Sequence, residues 1–161
     1  MEHDPGLADD LSGVSVRPMH PADLPAVIRL DASVFGQART AYFERRLAAL
    51  EREDTGDNHL IFLVAVTSDD ETIGFIMGTL TSGEFGLPHI TAIIDSIAVH
   101  PSYRHRHIGR LLIETFLNRS ASLGARTAYT LVQWENWQLL KVFHALGFSL
   151  PSTIQLERQI G

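Results

Sequence analysis

The chain has 161 residues, 45% of them hydrophobic and 20% charged, so it can bury the core of one ordinary domain. A formal net charge of −6 argues against a general nucleic-acid binder, and no apolar run approaches the length of a membrane span. The absence of cysteine excludes disulfides, thiolate metal sites and any covalent acyl-cysteine intermediate.

Residues 1–12 lack the basic and apolar regions of a signal peptide. They are expected to form a flexible N-terminal tail, with residues 13–161 forming one domain and the protein residing in the cytoplasm. Val14-Ser-Val-Arg-Pro reads as a short first strand. From Pro21 to Phe35, Leu24, Val27, Ile28 and Val34 recur at helical spacing after a Pro-Ala-Asp start. A second helix is expected over about Arg39 to Glu53, burying Tyr42, Phe43, Leu47 and Leu50, with a loop at Thr55-Gly-Asp-Asn.

Leu60–Val66 and Thr72–Leu80 flank the turn at Ser68-Asp-Asp-Glu and predict a hairpin. Gly74 and Gly78 inside the returning strand suggest a bulge or a close backbone approach. After a loop over residues 82–89, Ile90–Val99 reads as the central strand, apolar except at Asp95 and Ser96. A helix over about Ile108–Leu123 should bury Ile108, Leu111, Leu112, Thr115 and Phe116 and stop at Gly124. Arg126–Val132 predicts a further strand. Asn136 can cap a helix carrying Leu139, Val142, Phe143 and Leu146 on one face and ending at Gly147. Thr153–Ile160 alternates and is expected to close the sheet. The order β-α-α-β-β-β-α-β-α-β with a mixed sheet defines one α/β domain.

The stretch from Asp95 to Leu112 organises the rest. It passes from a strand through Pro101 and a basic loop into a helix whose first turn contains Gly109. The first N–H groups of a helix have no partner inside it, and the macrodipole adds partial positive charge beside them. With Arg104, Arg106 and Arg110 nearby, this end suits a phosphate or pyrophosphate. Without the glycine and the preceding strand, those arginines would read as an ordinary solvated face.

Val99-His-Pro-Ser-Tyr-Arg-His-Arg-His-Ile-Gly109 resembles the acyl-CoA loop of the GNAT superfamily of N-acetyltransferases, usually V-x-P-x-x-[RQ]-x-x-G-x-[GA]. Asn136-Trp-Gln-Leu-Leu-Lys-Val-Phe-His-Ala-Leu-Gly-Phe148 is similar to that family's second signature, N-x-x-A-x-x-[LF]-Y-x-x-x-G-F. The likeness covers about residues 14 to 160, with both motifs on the expected elements. It implies a GNAT (acyl-CoA N-acyltransferase) fold, acetyl-CoA as cosubstrate and no metal, with direct transfer to a primary amine on a small molecule or peptide.

Several residue roles follow from the same resemblance. Acetyl-CoA would lie in an opening between the central strand and the strand near Arg126. Its pyrophosphate would meet Arg104, His105, Arg106, His107, Ile108, Gly109 and Arg110. The backbone of Ile97, Ala98 and Val99 would hold the pantetheine and polarise the thioester carbonyl. Asp95 matches the position of a glutamate base in the polyamine-acetyltransferase branch. It could equally accept hydrogen bonds at a strand bulge and stabilise the sheet. Asn136 reads as a helix cap, the resemblance implies that it also hydrogen-bonds the cofactor, and the two roles are compatible. The family also implies that a homodimer can form.

Two positions depart from the pattern. His107 stands at the usual first loop glycine and brings a β-carbon near the expected pyrophosphate path, which implies weaker or altered binding. Phe143 stands where the family often has a tyrosine that protonates the departing thiolate, and Phe143 has no hydroxyl. His144 is one helix step, about 100°, away and should face elsewhere. Tyr42, Tyr103 and Tyr129 remain as other hydroxyls. Phe143 is expected to pack against the cofactor or fill core. These departures keep a second reading open, a catalytically impaired acyl-CoA-binding regulatory domain. His100, His105 and His107 invite a metal, but an arginine-rich loop would repel a cation. Trp134 and Trp137 could shape an acceptor pocket or serve in core or dimer packing.

Overall fold

The computed structural model describes residues 11–52, 59–83, 86–153 and 155–161. Residues 1–10 of the expected tail, the loop expected at residues 55–58, residues 84–85 and Ile154 lie outside them. Two compact units divide the chain, one running to Leu131 and the other from Val132 to Gly161.

The first unit holds β1 (Val14–Pro18), a 3-10 turn (Pro21–Asp23), α1 (Leu24–Phe35), α2 (Thr40–Glu51), β2 (His59–Thr67), β3 (Thr72–Ser82) and β4 (Ile90–Val99). A second 3-10 turn (Pro101–Tyr103), α3 (Ile108–Ser122) and β5 (Thr127–Thr130) follow. The strands lie in the order β1-β2-β3-β4-β5, antiparallel except for the parallel pair of β4 with β5. This is the expected α/β architecture with a mixed sheet.

Alternation sorts the strand side chains onto two faces. One carries Phe62, Val64 and Val66 of β2, Phe75 and Met77 of β3 and Ala98 of β4, packed against Val27 and Leu30 of α1 and Phe43 of α2. Phe43 meets Phe75 edge-on, with ring centroids 5.6 Å apart. The opposite face receives α3, whose buried residues are Ile108, Leu112, Ile113, Phe116 and Ser120. Ile113 therefore joins the stripe while Leu111 and Thr115 are only half-buried, a rotation of the expected face by a fraction of a turn.

Gly74 and Gly78 make this second contact possible. A β-carbon on Gly74 would lie 3.2 Å from a Leu112 methyl, and one on Gly78 would lie 2.3 Å from the carbonyl oxygen of Ile93. The close approach expected for these glycines is real. Bulges form beside both glycines. β3 carries Ile73 as an extra residue next to Gly74, where Ala65 pairs with Gly74 and Val66 with Thr72. β4 bulges opposite Gly78, where the register shifts between Met77 paired with Ser96 and Gly78 paired with Ile94. Asp95 is left as the extra residue.

Asp23 closes the N-terminal corner. It accepts hydrogen bonds from Arg17 Nη1 and Nη2 (2.7 and 3.0 Å), the His20 N–H (2.8 Å) and the Thr72 hydroxyl (2.9 Å). Burial alone would push this carboxyl up, but those donors together hold it below its usual range.

The second unit contains α4 (Trp137–Ala145), capped as expected by Asn136, whose side chain accepts from the Leu139 N–H at 3.2 Å. The chain leaves α4 through Gly147 at φ 87°, a left-handed conformation suited to glycine. Phe143 is buried and Leu139, Val142 and Leu146 are half-buried, as their spacing predicts. The closing strand expected at Thr153–Ile160 does not form among the described residues, which carry no regular structure there. Leu156 is 85% exposed and Ile160 96% exposed, so the alternation has no sheet neighbour to bury it. No helix among the described residues is long and apolar enough to cross a membrane.

Candidate active site

β4 and β5 pair only over Thr91–Ile94 and Thr127–Thr130, after which β4 continues alone on that side to Val99. Hydrogen-bond parity shows what this exposes. The His100 N–H donates to Ile73 O at 2.8 Å, so Ala98 and Ser96 also direct their N–H and C=O groups toward β3. Ile97 and Val99 direct theirs to the other edge, beyond the end of β5. An extended ligand could therefore bond to the backbone of Ile97 and Val99 as a strand would.

At the head of this open edge, the bulge turns the Asp95 side chain toward the helical layer of α2. Oδ2 of Asp95 accepts from Arg46 Nη2 and from the Thr79 hydroxyl, both at 3.1 Å. Its Oδ1 has no hydrogen-bond partner among the described residues. The Asp95 side chain is 22% exposed and that of Arg46 32% exposed, so the pair reaches solvent. Burial raises the Asp95 carboxyl above its ordinary value, against the opposing pull of Arg46 and Thr79.

One residue on, Ser96 ties β4 to the start of α2. Arg39 donates to Asp31 through Nε and Nη2 (2.8 and 2.6 Å) and to the Ser96 hydroxyl at 3.2 Å. Phe35 stacks on the guanidinium with its ring centroid 3.7 Å from Cζ, and Tyr42 lies 4.9 Å away. Arg46 contacts the same Tyr42 ring at 5.4 Å. None of Arg39, Asp31, Arg46 and Thr79 stood out in the sequence as a site residue. Arg46 is 49 residues from Asp95, and neither lies in a spaced motif that would join them.

Beyond Val99, the loop reaches α3 through two left-handed residues, His105 at φ 64° and His107 at φ 57°. His107 occupies the N-cap position, so the histidine at the family's glycine position adopts a conformation glycine enters freely. The first bond of α3 runs from the Leu111 N–H to His107 O at 2.9 Å. The N–H groups of Ile108, Gly109 and Arg110 precede it and are aimed out of the helix. A β-carbon on Gly109 would meet only a Val99 methyl at 3.9 Å, so packing within the protein does not demand glycine there.

The three loop arginines do not converge. Arg106 stacks on Tyr103 (5.5 Å), and both wall a cavity of about 280 Å³ with Gly13, Ser68 and Glu71. Arg110 pairs with Glu114 at 2.9 Å, and Arg104 makes no ion pair among the described residues. His100 Nδ1 accepts the Ser102 N–H at 3.2 Å, which stabilises the turn into the loop. No group of three or more His, Asp or Glu side chains among the described residues could hold a metal ion.

In the second unit, Asn136 borders an open hollow of about 500 Å³ with Gln133, Glu135, Trp137 and Gln138. Phe143 packs edge-on against Phe148 with centroids 4.9 Å apart. Trp134 and Trp137 are each 68% exposed.

Residues 24–148 match the model of the Acetyltransferase (GNAT) family. Among solved structures, a transcriptional regulator from Bacillus halodurans C-125 superposes with a TM-score of 0.76 at 19% identity, covering 91% of this chain and 99% of that one. Glucosamine-6-phosphate N-acetyltransferase from Arabidopsis thaliana gives 0.70 at 15% identity, covering 92% and 99%. The aminoglycoside acetyltransferase AAC(6')-Iy, in complex with the bisubstrate analog CoA-S-monomethyl-acetylneamine, gives 0.71 at 25% identity, covering 92% and 99%. No curated protein matches the chain. The family match spans most of the sequence and both motifs, and the chain belongs to the GNAT acetyltransferase family.

Proposed function

We propose that residues 13–161 act as an acetyl-CoA-dependent N-acetyltransferase that transfers the acetyl group directly to a primary amine, in the cytoplasm. The observation that carries this reading is the open edge of β4. Backbone groups of Ile97 and Val99 face outward where β5 has ended, and two residues before Ile97 stands a carboxylate with one oxygen unpartnered among the described residues. The pantetheine chain fits the first feature, and the outward N–H groups of Ile108, Gly109 and Arg110 fit a pyrophosphate.

Acetyl-CoA supplies an acetyl group already activated as a thioester. The protein has to orient the amine and manage its proton. At pH 7 the neutral form of a lysine-like amine of pKa about 10.4 lies roughly 4.6 kcal/mol uphill, whereas an α-amine near 7.8 requires only about 1.1 kcal/mol. Asp95 serves as the base, directly or through water, and its Oδ1 is the available acceptor. Burial strengthens it as a base, while Arg46 and Thr79 oppose that shift. As the C–N bond forms, the C–S bond breaks, the amine proton passes to Asp95 or water, and the sulfur takes a proton from solvent. A thiol of ordinary pKa near 8.5 leaves without a dedicated acid, so Phe143 does not forbid turnover.

Thiol release from acetyl-CoA over a panel of primary amines tests this. Turnover should fall about 10²–10⁴-fold for strongly basic amines in Asp95→Asn, and less for α-amines. Saturable acetyl-CoA binding without turnover on any amine would instead establish a regulatory acyl-CoA-binding domain, the alternative that Phe143 favours.

A further inference from the structure

The ion pair of Asp95 and Arg46 describes the acceptor more closely. Both Arg46 and Thr79 use Oδ2 of Asp95, leaving Oδ1 without a partner among the described residues. Arg46 uses only Nη2 in hydrogen bonding, and its Nε and Nη1 make none there. The Tyr42 ring backs this guanidinium, and Arg39, which also contacts that ring, is already matched by Asp31.

The solvent-reaching pair is thus electrically balanced, with one carboxylate oxygen and one guanidinium edge still available among the described residues. An acceptor carrying only an ammonium would add an uncompensated charge beside Arg46, and a polycation would add several. An amino carboxylate adds no net charge and an amino phosphate at most about one negative charge, and each offers a partner to both vacant groups.

We propose, on the basis of the acetyl-transfer reading above, that the acceptor is a zwitterionic primary amine whose ammonium binds Oδ1 of Asp95 and whose carboxylate or phosphate binds the free edge of Arg46. Arg46 is then a specificity residue, and α2 carries part of the acceptor site. The acidic net charge of the whole chain favours cations only at long range. The contact itself selects for an amine with an anion within reach of it.

Steady-state acetyl transfer with matched acceptors decides the matter. β-Alanine is compared with β-alaninamide, and O-phosphoethanolamine with ethanolamine, so that each pair differs in the anion and the two pairs separate carboxylate from phosphate. Spermidine represents the polycations. In the wild-type protein, kcat/KM for at least one zwitterion should exceed that of its counterpart without the anion roughly ten- to hundredfold. The amide is the less basic amine, which biases that pair against the inference. Arg46→Gln should bring the ratio close to one, and Arg46→Lys should keep part of it, separating loss of charge recognition from loss of folding.

Wild-type ratios near one, a ratio that Arg46→Gln leaves intact, or spermidine as the best acceptor would each overturn the inference while leaving acetyl transfer standing. Failure to bind acetyl-CoA would overturn both.

Discussion

The ring of Phe116 on α3 occupies the space that a side chain on Gly78 of β3 would need. A β-carbon there would stand 2.6 Å from the ring and 2.3 Å from the Ile93 carbonyl oxygen. The ring can shift slightly, but the backbone of β4 cannot move without disturbing the bulge that presents Asp95. Gly78→Ala should therefore lower stability by at least about 1–3 kcal/mol in denaturant unfolding.

Gly109 makes the opposite case. Its missing side chain leaves space that no neighbour fills, with the nearest Val99 methyl at 3.9 Å from a built β-carbon. Alanine is the better helix former by roughly 0.5–1 kcal/mol. Gly109→Ala should leave the melting temperature unchanged or raised while weakening acetyl-CoA binding, measured by thermal unfolding and calorimetry on the same sample. Loss of stability without loss of affinity would mean that the glycine serves the fold.

Asp31 and Arg39 hold the connection between α1 and α2 against β4. Asp31 is 2% exposed, and Arg39 makes three hydrogen bonds to Asp31 and Ser96. Arg39→Gln leaves a buried carboxylate with no cation beside it. A loss of about 3–5 kcal/mol is expected, read as a shift in the urea midpoint.

Asp23 gives a pH signature. Its carboxyl is held below the ordinary value near 3.9, so the unfolded chain binds its proton more readily than the folded one. Its contribution to stability is fully present above about pH 3.9 and is lost as pH falls through the lower folded value. The stability gap between wild type and Asp23→Asn should thus be widest near neutrality and narrow below about pH 4.

Asp95 is shifted the other way, chiefly by burial. The acid limb of kcat/KM should lie above the ordinary aspartate range of about 3.9 and should move upward again in Arg46→Gln, which removes the cation opposing that shift. A limb at the ordinary value would place the titrating group elsewhere.

The parts of this fold governed by local rules were legible in the chain. β4 runs from Ile90 to Val99 as the apolar run implies, α3 begins at Ile108, and Asn136 caps α4. Each depends on neighbours within a few residues. A bulge at Asp95 is one of two readings of a carboxylate inside an apolar strand, and it is what forms. Its register against β3 was not legible, because a mismatch belongs to two strands together. Arg46 meets Asp95 across 49 residues for the same reason. Thr153–Ile160 misled in the opposite sense, since period-two alternation states what a strand could bury but cannot supply a neighbouring strand. Val34 matched the helical stripe of α1 yet is half exposed, because it falls in the last turn before Gly36.

The most direct test of the whole account is calorimetric titration with acetyl-CoA beside S-acetylpantetheine, which shares the thioester and lacks the pyrophosphate. The geometry of the β4 edge and the start of α3 predicts saturable micromolar binding of acetyl-CoA and far weaker binding of the control. No heat of binding for acetyl-CoA up to millimolar concentration, or equal affinity for the two ligands, would contradict it.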